Sequence, residues 1–354
     1  MKIRRTLESV IPYSAGKTRP GAVKLSSNEN PLGPSPKALK AISRELNHLH
    51  RYPDGLSNTL RTALSEHYSL PEECFIVGNG SDEILAMIAG TFLEEGNRVV
   101  TADATFSEYN FSGLLFGGDV VKVPLKEGRF DPDALLAAVT DRTNLIFIAN
   151  PNNPTGTYLT GQEIRRFIDA LPAHVLLILD EAYAEFATAG DFLSGRDLVM
   201  ENRQVIVTRT FSKIYGLAGL RIGYAMAHPD LIKEIFRAKQ AFNVNMLAQI
   251  GGAAALKDTE YVNRTLELCR TGKEYLYARL DELGCHYYPS QANFICIEVG
   301  RDSREVFELF LEEGMAIRPL GSFGMKEWIR YTVGTEEQNR EFIRLMSDLK
   351  SSGR

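Results

Sequence analysis

Short, nearly unbroken apolar runs recur along the first two thirds of the chain, at residues 75–77, 98–101, 119–123, 145–149, 175–179, 204–207 and 222–227. Consecutive β-rich apolar positions, rather than alternating ones, predict strands buried on both faces. Helical or loop segments separate most of these runs, so the pattern predicts a largely parallel sheet clothed by helices. Residues 1–36 differ: they are crowded with proline and glycine and read as an extended, turn-rich arm. Ser35-Pro36 then opens a helix reaching to about residue 49. Beyond residue 228 the pattern changes again. Helices are expected at 229–239 and over 246–283 with a break near Asp258, and short strands at 293–298, 315–318 and 328–333. An amphipathic helix at 336–351 closes the chain, and the whole region reads as a smaller α+β unit.

Composition narrows the class. The 354 residues carry a net charge of −5, which favours neither nucleic acid nor an anionic membrane. The N-terminus lacks an apolar signal core and no run is long enough to span a bilayer. The four cysteines are scattered without metal-ligand spacing, and the six histidines form no ligand cluster. A reduced, cytoplasmic enzyme without a metal is the expectation.

Polar clusters fall where the apolar runs end, which is where α/β folds place their chemistry. After 204–208 comes a stretch with Thr210, Ser212, Lys213 and, past two glycines, Arg221. Two hydroxyls and a planar guanidinium suit a dianionic phosphate, and a lysine beside them suits a Schiff base to a phosphorylated aldehyde. Pyridoxal phosphate (PLP) is such an aldehyde. The plain alternative is a surface lysine beside a structural arginine. Gly78-Asn79-Gly80 precedes Ser81-Asp82-Glu83, where free amides of a helix start can cradle a phosphate or Ser81 and Asp82 can simply cap their own helix. Asn153 lies in a proline-braced loop after 145–149. Asp180 ends the strongly apolar 175–179 run, where a carboxylate is poorly solvated without a cationic partner. Tyr109 follows 98–101 and could stack on a flat ring or serve the core. Arg318 and Arg330 flank a glycine-rich loop and suit an anionic substrate group better than a surface ion pair.

Together these stretches resemble the fold-type I PLP enzymes and, within them, the histidinol-phosphate aminotransferase family. The resemblance covers nearly the whole chain, through Asn28–Pro34, Arg51–Asp54, Gly78–Glu83, Asn152–Gly156, Asp180–Tyr183, the Lys213 stretch and Arg330–Gly334. It implies a mostly parallel seven-stranded sheet in a large domain at 41–240, a small α+β domain at 241–354, and an arm at 1–40 joining the small domain. It implies that Lys213 carries the cofactor as a Schiff base and moves the substrate proton. Asp180 would pair with the pyridinium nitrogen, Asn153 and Tyr183 would bond the phenolate oxygen, and Tyr109 would stack on the ring. Ser81, Asp82, Thr210, Ser212 and Arg221 would hold the phosphate. Tyr52 would reach the cofactor of a neighbouring subunit, giving a homodimer with composite sites. Tyr13, Asn30, Arg318 and Arg330 would face the substrate. The implied reaction moves an amino group between L-histidinol phosphate and 2-oxoglutarate; an aromatic-amino-acid aminotransferase and a phosphothreonine decarboxylase share the scaffold. A PLP-binding regulator without turnover fits poorly, because no DNA-binding module accompanies the fold.

Overall fold

A computed structural model describes residues 5–8, 10, 17, 19–201 and 204–351. In chain order its strands are β1 (Val23–Lys24), β2 (Phe75–Gly78), β3 (Arg98–Ala102), β4 (Asp119–Val123), β5 (Thr143–Ala149), β6 (Leu176–Asp180) and β7 (Val205–Thr210). They continue with β8 (Gly223–Ala227), β9 (Tyr287–Tyr288), β10 (Phe294–Glu298), β11 (Met315–Ala316), β12 (Arg318–Pro319) and β13 (Trp328–Thr332).

The apolar runs form a seven-stranded sheet in the order β2-β8-β7-β6-β5-β3-β4. Only β8 runs against its neighbours; β3, β4, β5, β6 and β7 are mutually parallel. Every residue of β2, β7 and β8 is buried, and β5 and β6 nearly so, which is why these segments carry apolar side chains on both faces. Each fully buried Leu, Ile or Val contributes roughly 1.5–3 kcal/mol. Parallel strands all end on one edge, so Ala149, Asp180 and Thr210 deliver the residues after them to a common place. The mostly parallel α/β architecture expected from the sequence is present.

The C-terminal region holds a four-stranded antiparallel sheet in the order β12-β13-β10-β9, and β1 pairs with β11 in parallel. The expected strand at 315–318 is two strands serving two sheets, with Ile317 between them: β11 takes the arm and β12 takes β13. The two-residue β9 has no sequence signature because its side chains are only half buried. The arm is tied on by more than β1. The Leu25 amide donates to the Ala316 carbonyl at 2.8 Å, and the Thr332 amide donates to the Leu25 carbonyl at 3.0 Å. Strand pairing therefore carries residues 26–29 across the edge of the large sheet.

Helix ends follow their caps. Ser35 accepts from the Ala38 amide and Pro36 takes the first helical position, but the α-helix ends at Glu45, before a 3-10 turn at Leu46–His48, rather than near residue 49. The long helical stretch is broken as expected, into Met246–Leu256 and Thr259–Glu282. Among the described residues no helix is long and apolar enough to cross a membrane.

Candidate active site

A cavity of about 700 Å³ opens where the ends of β5, β6 and β7 meet the arm and β13. Twelve of the residues singled out from the sequence line it: Ser81, Asp82, Tyr109, Asn153, Asp180, Tyr183, Thr210, Ser212, Lys213, Arg221, Arg318 and Arg330.

Asp180 ends β6 and is 4% exposed. One carboxylate oxygen accepts the Tyr109 hydroxyl at 2.7 Å and the other accepts the Ala182 amide at 3.1 Å. No ion pair reaches it among the described residues, and burial pushes its carboxyl up to about 6. Arg330 faces the same cavity from β13 at 6% exposure, with its own unmet charge. It donates to the Asn153 side-chain carbonyl and, at 2.6 Å, to the Ser26 backbone carbonyl, while its Nε has no partner among the described residues. Burial lowers its pKa to about 10, and neighbouring Arg318 pushes the same way. A carboxylate without a cation and a guanidinium without an anion thus share one cavity. Isolated buried charges of either sign are costly, so both fit a ligand bearing the opposite charges.

Between them sit groups turned to donate. Because Asn153 accepts from Arg330 through its carbonyl, its NH₂ is left to donate. The Tyr183 hydroxyl accepts from the Asn28 side-chain amide at 2.8 Å, which leaves its proton free. Lys213 rises from the loop after β7; its Nζ donates to the Ser27 carbonyl at 3.0 Å and lies 5.7 Å above the Tyr183 ring.

The opposite end is built for an anion. The Ser81–Phe92 helix begins at Gly80 (φ 86°) with no side chain capping its first amides. A β-carbon at Gly80 would lie 2.7 Å from Arg221 Nη2, and one at Gly223 would lie 2.6 Å from the Ser81 amide nitrogen. Only glycine at both positions lets arginine, helix start and strand converge. Thr210 donates to Ser212 Oγ at 2.9 Å, so two hydroxyls meet at the end of β7. Arg221 is held by the Asp82 carboxylate at 2.9 Å, both side chains being half exposed.

Two expected residues, Tyr109 and Asn30, are placed differently. Tyr109 lines the cavity but is fully buried; its ring stacks on Phe147 at 5.1 Å, and its hydroxyl donates to Asp180. Asn30 does not line the cavity, because its amide is spent on the Lys213 and Ile214 carbonyls and on Thr265. It braces the lysine loop instead. Tyr52 is 83% exposed and stacks on Phe242 at 4.9 Å, outside the cavity of its own chain. Tyr13 lies outside the described residues. Sequence reasoning passed over Ser26, Ser27 and Asn28, which belong to the arm and carry no strand-end signal. It also passed over Phe106, which lines the cavity and packs edge-on to Tyr109.

Comparison with known proteins fits this site. The family model for aminotransferase class I and II matches residues 20–345, and the chain belongs to that family. Within it, the chain is 43% identical over 358 residues to the histidinol-phosphate aminotransferase of Moorella thermoacetica, covering 98% of this chain and 93% of that one. It is 41% identical over 360 residues to the enzyme of the same name from Symbiobacterium thermophilum, covering 99% of both. The crystal structure of the Sinorhizobium meliloti histidinol-phosphate aminotransferase, in complex with pyridoxal-5'-phosphate, superposes with a TM-score of 0.91 at 28% identity, covering 100% of this chain and 98% of that one.

Proposed function

We propose that this aminotransferase is PLP-dependent and moves an amino group between L-histidinol phosphate and 2-oxoglutarate, giving imidazole-acetol phosphate and L-glutamate in cytoplasmic histidine biosynthesis. The observation that carries the reading is the pair of unmatched buried charges around Lys213, because a PLP site needs an anion for the ring nitrogen and a cation for an anionic substrate. Full-length relatives at about 40% identity supply the substrate name.

Ser81, Thr210, Ser212 and Arg221 hold the cofactor's phosphate. Asp180 keeps a proton on the ring nitrogen, and Tyr109 holds that carboxylate in place. Asn153 Nδ2 and the Tyr183 hydroxyl donate to the ring oxygen. When bound, the cofactor supplies an electron-withdrawing ring that accepts the electron pair left at the substrate α-carbon. Lys213 Nζ carries the cofactor between turnovers and, once released, takes the α-proton. Arg330, with Arg318 beside it, binds the phosphate of one substrate and a carboxylate of the other. One guanidinium serves both half-reactions because both substrates are anions.

Two chains complete the site in this reading. Tyr52 stands exposed against Phe242, and Leu49 and Leu56, close to it in sequence, are exposed as well; these three apolar side chains are 48–59% exposed and suited to burial against a second copy. Tyr52 then reaches the partner's cofactor phosphate. Residues 1–40, 41–240 and 241–354 act as arm, large domain and small domain.

The test is a panel of amino donors with 2-oxoglutarate: histidinol phosphate, phenylalanine and phosphothreonine. Glutamate formation fastest with histidinol phosphate is the expected result. Faster turnover of phenylalanine, or carbon dioxide release from phosphothreonine, would replace the substrate assignment.

A further inference from the structure

We propose that Asn28 is a positioning residue for the reaction, holding the Tyr183 hydroxyl as a donor directed into the cavity. The inference rests on the PLP reading and adds to it a residue from the arm. Asn28 is 1% exposed and adopts φ 56°, a left-handed conformation that asparagine tolerates better than most side chains. Its backbone amide donates to Thr332 Oγ1 at 3.0 Å. That hydroxyl in turn donates its proton to Asn28 Oδ1 at 3.1 Å. Asn293 Nδ2 donates to the Asn28 carbonyl at 3.1 Å.

These bonds decide which way the Asn28 amide faces. Its oxygen belongs to Thr332, so its NH₂ faces Tyr183 Oη at 2.8 Å. An NH₂ group can only donate, so the tyrosine oxygen must accept. The tyrosine proton then has no other hydrogen-bond partner among the described residues, and Tyr183 lines the cavity. An accepted hydrogen bond also strengthens the hydroxyl as a donor to an oxyanion. Because Thr332 belongs to β13 and Asn293 adjoins β10, Tyr183 is set by the C-terminal sheet through the arm. An aspartate at position 28 would do the opposite, accepting the tyrosine proton and turning it away.

The experiment is a pH titration of the visible absorbance of bound PLP in the holoenzymes of wild type, Tyr183→Phe, Asn28→Gly, Asn28→Asp and Asn28→Gly with Tyr183→Phe. Glycine keeps the left-handed backbone, and aspartate keeps the shape if glycine fails to fold. A donor to the ring oxygen stabilises its ionised form, so losing it makes the chromophore hold its proton to higher pH. Tyr183→Phe is expected to raise the apparent pKa by roughly one to two units, the size of a hydrogen bond to a charged group. Asn28→Asp should raise it at least as far, and Asn28→Gly by a few tenths of a unit. Adding Asn28→Gly to Tyr183→Phe should produce no further rise. If Tyr183→Phe shifts the titration but the Asn28 single variants do not, or if the Asn28→Gly shift persists without the hydroxyl, the role of Asn28 is overturned. If wild type shows no visible PLP band, the PLP reading itself falls.

Discussion

Asp180 and Glu181 are consecutive, acidic and buried, yet they live in opposite electrostatic conditions. Neighbouring side chains on an extended segment point to opposite sides, so one carboxylate faces the cavity and the other faces away from it. Glu181, 1% exposed, receives Arg209 through Nη2 at 2.5 Å and Nε at 3.0 Å, while its other oxygen accepts the Gly195 amide. Arg209 is completed by Glu185 at 3.1 Å and Ser194 at 3.0 Å. Burial alone would lower its pKa, but Tyr68 and the carboxylates of Glu181 and Glu185 hold it well above the ordinary arginine value. Among the described residues Asp180 has a tyrosine and one amide but no cation, and Arg330 has two carbonyls but no anion. The paired cluster completes itself, whereas the unpaired charges wait for a ligand. Burial of charge is common to both regions, and only the missing partner marks the site.

The first way to test this contrast is to break the completed side. Glu181→Gln leaves Arg209 short of an anion and should cost about 3–5 kcal/mol of folding stability, the usual penalty for breaking a buried pair. Denaturant unfolding measures it. The PLP absorbance of the folded variant should titrate as wild type does, and a shifted titration would mean that the two regions are coupled.

Removing charge from the unpaired side should give the reverse profile. Arg330→Gln should lower kcat/KM by about 100- to 1000-fold, within the 2–5 kcal/mol range for a buried charge contact. The loss should apply to histidinol phosphate and 2-oxoglutarate alike, with no loss of apoprotein stability. A loss confined to one substrate would contradict a shared anion site.

Much of this contrast was legible in the sequence. Asp180 stood out because a carboxylate ending a wholly apolar strand needs a partner, and the runs that became β5, β6 and β7 were unambiguous because both their faces are buried. Lys213, Thr210 and Ser212 were legible for the same reason, lying at or just past the end of such a run. The arm residues were not. Ser27 and Asn28 reach the cavity only because β1 pairs with β11 and Leu25 bridges β11 and β13, contacts some three hundred residues away that leave no local periodicity. Asn30, two positions further on, has the same chemistry as Asn28 but turns to Thr265, and no pattern in the arm separates the two. Tyr109 was legible as an aromatic near the site, but its partner Phe147 lies in the middle of β5, where an aromatic reads only as core.

The unpaired state of Asp180 is most directly tested by the unfolding stability of wild type and Asp180→Asn, each with and without PLP, between pH 4 and 8. A folded-state pKa near 6 against an ordinary 3.8 means that the native protein binds the proton more tightly than the unfolded chain. The ionised carboxylate therefore destabilises the apoprotein, fully above pH 6, decreasingly as pH falls, and not at all below about 4. Without PLP, Asp180→Asn should be the more stable by up to about 3 kcal/mol at pH 8, with the advantage gone at pH 4. With saturating PLP at pH 8 the order should reverse, since only the carboxylate can pair with the ring nitrogen. An Asp180→Asn protein that is less stable without PLP, or that gains as much from PLP as wild type, would contradict the account.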